Sequence, residues 1–429
     1  MKSIPMNPFS LQAILAAAML LGLCLVAPAP AAPIRDPNES ALHFDVCPEG
    51  CPFARIQAAV APAIAASSAT RAAAVIFIAP GFYEETLTVR PEPGQEVWLV
   101  GACRGCVTIR TPSLVSTIDT ITTRGVVRLV NLRVLSGLNA TLGSAVQAEA
   151  AFLNDLRIDN CEIDCMTGSS CISLTGFTFE GNRYRLTNNE VVFNNTGLSL
   201  GDPGDYRLTG NVFRVDAARA TGSGTMQAVT IGHPEAAAAF IYQVGDKIDL
   251  VRPNVATVTV VVAGVRTTNQ VGLVEYVGAS NLIRVVDNGT SAVGEVAGIL
   301  MATNNVSATA ACYSCDVNVE RPNSAGAFSA VRQGSVVANV MTVNGGMYRV
   351  GAGAGTDLSQ SSSGLLKSSA DFVSRLGTLE SAVAVVGLDA VAGCTANGFF
   401  VDTGGATREL CWCNAGTTQC VALGAGVVD

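Results

Sequence analysis

The chain has 429 residues and a formal net charge of −8; only 14% of residues are charged, 49% are hydrophobic and 43 are glycine. The acidic balance excludes the clustered positive field that nucleic-acid binding requires, and it disfavours docking on an anionic polysaccharide without calcium. So little charge with so much glycine fits β coils closed around a narrow apolar core, with corners made by Gly and Asn rather than by charged loops.

Residues 1–31 are predicted to be a secretory signal peptide: Lys2, an apolar run from Leu11 to Ala27, then the small-residue site Ala29-Pro30-Ala31. A membrane anchor is the alternative, although the run is near the lower length limit for a span. Leu23 stands before Cys24 where a lipid-attachment site wants a small residue, which argues against lipidation. After signal removal no segment is expected to span a membrane. The expected location is secreted or extracellular-surface, a virion exterior included.

Residues 32–111 read as an N-terminal cap with the first coils. Ile56–Ala74 is predicted to be an amphipathic helix over the open end of the stack, leading into the apolar runs Val75–Val89 and Glu96–Ile109. Residues 112–234 carry a repeat: Val127–Val134, Leu156–Ile163, Tyr184–Val191 and Tyr206–Phe213. Each copy has an apolar residue, Arg, an apolar residue, a variable position, then Asn131, Asn160, Asn188 or Gly210, at spacings of 29, 28 and 22. Asn and Gly accept a left-handed backbone most cheaply, so these four are predicted corners.

A second register recurs in Thr117–Ile121, Ala145–Glu149, Cys171–Thr175, Gly197–Gly201 and Ala228–Gly232, alternating with period two. Ile118, Val146, Ile172, Leu198 and Val229 are expected inward; Asp119, Gln147, Ser173, Ser199 and Thr230 outward. Short strands and a fixed corner on coils of this length predict a right-handed parallel β-helix in an all-β chain.

Between 235 and 300 the repeat fades, and the alternating segments there are expected to form a small antiparallel β insertion. Coils are expected again over 301–352, a Gly/Ser-rich loop over 353–375 and a Cys-rich C-terminal cap over 376–429. Without Cys24 there are 13 cysteines, in local groups: Cys47/Cys51, Cys103/Cys106, Cys161/Cys165/Cys171, Cys312/Cys315 and Cys394/Cys411/Cys413/Cys420. In an exported chain these read as disulfides with at least one thiol left over. The alternative is a four-thiolate zinc site from the first two pairs. The connectivity is left open.

Ile56, Gln57, Ala59 and Val60, then Pro80, Gly81, Tyr83 and Glu85, then Leu99, Val100 and Gly101, together resemble the N-terminal cap of pectinesterases and the wider pectin-lyase-like superfamily. The resemblance is close over about 55 residues and implies the parallel β-helix. It also implies that a catalytic member would carry the patterns QAVAL, QDTLY and VDFIFG. Only a remnant of the first stands at Ala145–Glu149, and the others are absent, with Cys171–Thr175 and Gly197–Gly201 where the acids should be.

Esterase chemistry needs two carboxylates on neighbouring coils; lyase chemistry needs several around calcium. Asp119 and Glu149 are the only such candidates. Gln147, Ser173, Ser199 and Thr230 complete the expected ligand-binding stripe. A His-based triad would depend on His233, because the other histidine, His43, precedes the cap. Arg128, Arg157, Arg185 and Arg207 form a ladder on one outer face, with Asp159 and Glu162 interleaved. No metal or cofactor is expected, calcium being the one cation a lyase-type site would need. The expected function is a structural or glycan-binding surface protein without catalysis; the alternative is a polysaccharide esterase or lyase.

Overall fold

Asn131, Asn160 and Asn188 adopt φ of 55°, 52° and 55°, and Gly210 adopts 65°, so the repeated residue does take the left-handed conformation that its chemistry makes cheap. In the computed structural model each of these residues turns the chain from a strand of one sheet into a strand of a second. The Asn160 amide donates to Asn131 Oδ1 at 2.7 Å.

The structure describes residues 42–112, 115–120, 125–136, 144–148, 155–165, 170–174, 182–201, 203–216, 224–232, 238–254, 259–268, 273–302, 308–334, 340–351, 355–360, 365–368, 371–372, 398–402, 409–414 and 417–422. The leader, Glu149, Asp202 and His233 lie outside them. The chain divides into two compact units, residues 1–192 with 202–207, and residues 193–201 with 208–429.

The first unit is a right-handed parallel β-helix of three sheets. Its first sheet stacks Leu42–Val46, Ala74–Ile78, Glu96–Gly101, Val126–Val130, Asp155–Asp159 and Arg183–Thr187 in parallel. The second sheet contains Leu87–Thr88, Ile118–Asp119, Val146–Ala148 and Ser170–Leu174. The third, reached through the Asn corner, contains Gly81–Glu84, Val107–Arg110, Arg133–Leu135, Glu162–Asp164 and Glu190–Phe193. Ile118, Val146 and Ile172 are fully buried, as the alternation requires.

The helix runs from Ile56 to Thr70, shorter than the sequence suggests, because Arg71 turns left-handed at φ 57°. The residues that carry the family resemblance have structural work here. Glu85 is buried, and its carboxylate accepts the amides of Ile56 and Gln57 at 2.8 and 3.0 Å, satisfying two orphan donors at the positive end of the helix. The Gln57 side chain accepts from Thr88 N at 2.8 Å and donates to Thr88 O at 3.3 Å, which ties the helix to the second sheet. Tyr83 donates to Ala79 O at 2.9 Å.

The second unit repeats the three-sheet plan, and it corrects the expected insertion. Ala239–Val244 pairs in parallel with Val274–Ala279, Lys247–Arg252 with Leu282–Asp287, and Val261–Thr267 with Glu295–Met301. The described strands between 238 and 300 therefore supply coils, not an antiparallel module. Their corners are Gly245, Ser280 and Ser314, with φ of 66°, 52° and 52°. The segment 353–375 is corrected likewise: Gly355–Gln360, Leu365–Ser368 and Asp371–Phe372 each join a parallel sheet. Near the C-terminus, Gly398–Asp402, Glu409–Asn414 and Thr417–Ala422 form an antiparallel sheet with Cys411 opposite Cys420.

Inside the second-unit corners runs a buried polar column. Asp246 Oδ1 accepts from Asn211 N at 2.6 Å, Asp246 N donates to Asn281 Oδ1 at 2.9 Å, and Gln243 bridges the corner to Asp246 Oδ2 at 3.0 Å. Two coils on, the same pair of positions holds Cys312 and Cys315, joined as a disulfide. Burial pushes the Asp246 carboxyl up to about 6, against the hydrogen bonds from Asn211 and Gln243 that favour its anion. A second buried ladder is ionic: Arg252, Asp287 and Arg321 stand on consecutive coils, with Arg252 Nη1 at 2.7 Å and Arg321 Nε at 3.2 Å from the Asp287 oxygens. A Cβ added at Gly289 or Gly326 would fall on one of the two guanidiniums.

Disulfides join Cys47–Cys51, Cys103–Cys106, Cys165–Cys171 and Cys312–Cys315. The zinc alternative for the first two pairs is thereby set aside, because a disulfide offers no thiolates. Cys161 is the free thiol among the described residues; it is buried, and burial pushes it up to about 12.

Candidate functional site: the outward face of the second sheet

In the first unit Asp119, Gln147 and Ser173 stand in register on successive coils, all half-buried and facing outward, about 4.8 Å apart by sheet geometry. Asp119 lies 3.9 Å from Arg90 Nη2, and Gln147 Oε1 accepts from Ser116 Oγ at 2.6 Å. Ser116 Oγ also accepts from Ser144 N at 3.2 Å, which fixes the amide in place. The stripe is thus one ion-paired carboxylate, one oriented amide and one hydroxyl. Glu149, the expected partner of Asp119, lies outside the described residues.

In the second unit the corresponding column is Ser199, Thr230, Arg266, Leu300 and Arg332. Beside it Arg266 Nη1 donates to Gln227 Oε1 at 3.3 Å, and Arg332 Nη2 lies 3.4 Å from Glu295 Oε1. Val261, Ala263, Ala297 and Leu300 pack as an apolar cluster in the same strands. Burial lowers the Arg266 guanidinium from its ordinary range, opposed by the charge of Glu295. Sequence reasoning missed Gln227, Arg266, Glu295 and Arg332, since Arg266 and Glu295 lie where an antiparallel insertion was expected. The alignment of Thr230 with Arg266 across a parallel pair is the signal that would have found them.

Each described stretch offers amide, hydroxyl and guanidinium donors around a single carboxylate that an arginine already engages. Such a surface can bracket sugar hydroxyls. Double-displacement or lyase chemistry needs at least a second acid at a defined separation or a cluster of acids around a cation. Among the described residues no group of three or more His, Cys, Asp and Glu is placed to hold a metal ion, and no helix is long and apolar enough to cross a membrane.

No protein-family description matches the chain, and no curated protein does. Among solved structures, the A-module of mannuronan C-5 epimerase AlgE4 of Azotobacter vinelandii matches at 11% identity and a TM-score of 0.31, over 75% of this chain and 94% of that one. The tailspike protein gp49 of Acinetobacter baumannii bacteriophage Fri1, a capsular polysaccharide depolymerase, matches at 10% identity and 0.31, over 91% and 80%. ORF18 of Geobacillus virus E2 matches at 11% and 0.28, over 98% and 80%. Likeness at this level leaves the chemistry to be argued from this chain's own residues.

Proposed function

We propose that this chain is an exported surface protein, displayed on a cell or virion exterior, that binds a glycan along the outward face of its second sheet without transforming it. The observation that carries the reading is the makeup of that face in each unit by itself. Asp119, Gln147 and Ser173 stand in register in the first, and Ser199, Thr230 and Arg266 in the second, beyond which the column passes to the buried Leu300. Among the described residues Asp119 and Glu295 are the carboxylates there, each beside an arginine. Donors and acceptors repeating at a fixed pitch suit a polymer that repeats as well. The leader-like N-terminus and the disulfides support export to an oxidising compartment.

A second reading, a polysaccharide esterase or lyase, is favoured by one detail: Asp119 stands directly beside the amide of Gln147 on the next coil, a carboxylate next to a polarising donor.

Retention of the purified chain on a panel of immobilised neutral and acidic glycans, with and without calcium, tests the proposal. At least one glycan should retain it, and Gln147→Ala or Arg266→Ala should weaken retention about fivefold or more at an unchanged melting midpoint. Retention unaffected by both substitutions would place the binding elsewhere.

A further inference from the structure

The outer face of the first sheet, in the first unit, carries a second arrangement that the reading above does not use. Trp98, Arg128, Arg157 and Arg185 stand in one register column on consecutive coils. Arg207 continues it, since the buried rings of Tyr184 and Tyr206, the residues preceding Arg185 and Arg207, stack at 4.8 Å. Successive guanidiniums therefore project from one face at the coil repeat, about 4.8 Å. Arg183 flanks the column and is exposed.

Most of these cations are held in place by aspartates. Arg128 lies over the Trp98 ring at 4.7 Å and donates to Asp159 at 2.8 Å. Arg157 meets Asp155 through two hydrogen bonds of 3.1 and 3.0 Å, and Arg183 lies 3.6 Å from the same carboxylate. Arg207 bonds Asp205 at 3.1 Å. Glu162, expected among these residues, instead pairs with Arg133 on the third sheet at 3.1 Å.

Five arginines thus meet four carboxylates, Asp155, Asp159, Asp205 and Glu96, on a chain whose net charge is −8. Glu96 accepts from the Trp98 indole at 2.5 Å, and its charge acts on Arg157. Arg185 is half-buried between Arg157 and Arg207 and has no ion pair or hydrogen bond among the described residues. A stack of like charges at this spacing is repulsive, and a partly desolvated guanidinium without an acceptor is costly. Its planar fork suits the paired oxygens of a carboxylate or sulfate. The aspartates fix the neighbouring side chains beforehand, so a ligand has little left to order.

We propose that this column is a binding surface for a linear polyanionic glycan, whose sulfate or carboxylate groups are received by successive arginines with Arg185 at the centre. The surface is separate from the outward face of the second sheet, and either can fail without the other. The net charge of the whole chain does not oppose it, because at physiological salt the field is screened beyond about 8 Å and the local excess of arginine governs.

The test titrates the full chain with dextran sulfate, polygalacturonate and uncharged dextran of matched length, and with single-stranded DNA, at 50 and 300 mM NaCl. One or both anionic glycans should bind, the tighter of the two identifying the group received. Affinity should fall about tenfold or more at the higher salt, and uncharged dextran should not compete. Arg185→Gln and Arg183→Gln should each weaken binding about fivefold or more with the melting midpoint unchanged. Arg284→Gln, on the third sheet of the second unit and in neither proposed surface, should leave it intact. Wild-type affinity in both arginine variants, equal binding of uncharged dextran, or equal binding of the DNA would overturn the proposal.

Discussion

The two units turn the same corner with different chemistry. In the first unit the left-handed position is Asn131, Asn160 and Asn188; in the second it is Gly210, Gly245, Ser280, Ser314 and Gly345. The Asn corner carries its own adhesive, since one side-chain amide can bond the next. The Gly and Ser corners lack that reach, and the adhesive there is the residue one step along the chain and inward: Asn211, Asp246 and Asn281. The inward bond is already present in the first unit, where buried Asn189 accepts from Cys161 N at 2.9 Å and donates to Ile158 O at 2.7 Å. The first unit adds an exposed amide bond to it, whereas the second unit relies on the buried ladder and brings a carboxylate, Asp246, into the core.

The largest expected effect separates the units by what they bury. Asp287→Ala leaves Arg252 and Arg321 facing each other in the second-unit core, and should cost about 3–5 kcal/mol in urea unfolding; a loss under 1 kcal/mol would show that the ladder is not closed to water. In the first unit, Glu85→Ala removes two charge-assisted bonds from the helix start and should cost about 2 kcal/mol. Glu85→Gln should cost less.

The third effect depends on pH. The folded carboxyl of Asp246 is raised from 3.8 to about 6, so it holds its proton where the unfolded chain has lost it. Its contribution to stability is fully present below the unfolded value and is lost as pH rises through about 6. Wild type should therefore gain on Asp246→Asn, on the order of 2 kcal/mol, as pH is lowered from 7.5 to 4. Parallel stability curves would mean that the carboxyl is not buried.

The smallest pair acts on the corners themselves. Asn160→Val should cost about 1 kcal/mol or more, since a β-branched residue resists the left-handed conformation; Ser280→Gly should be neutral or stabilise by up to about 1 kcal/mol. Equal midpoints in both variants would remove the corner assignment.

The first-unit coils were legible because an Asn at φ near 55° leaves a mark in the sequence. Residues 239–301 were misread because period-two alternation reports a half-buried strand and says nothing about pairing direction. The pairs Gly210-Asn211, Gly245-Asp246 and Ser280-Asn281, each 35 residues apart, carried the repeat there, but only for a reader following the second residue of each pair. The same misreading hid Arg266 and Glu295 from the stripe. Glu85 and Gln57 were visible as a family likeness, whereas their role as a helix clamp depends on contacts 28 to 31 residues apart, which no local pattern shows.

Binding without turnover is the central functional claim, and an end-product assay meets it directly. The chain would be incubated with whichever glycan retains it, with and without calcium, and the mixture followed for released methanol, unsaturated ends and reducing ends. The account predicts retention with no product above the no-protein control. Product formation abolished by Asp119→Asn or Glu295→Gln would contradict it and make the outward face of the second sheet an active site.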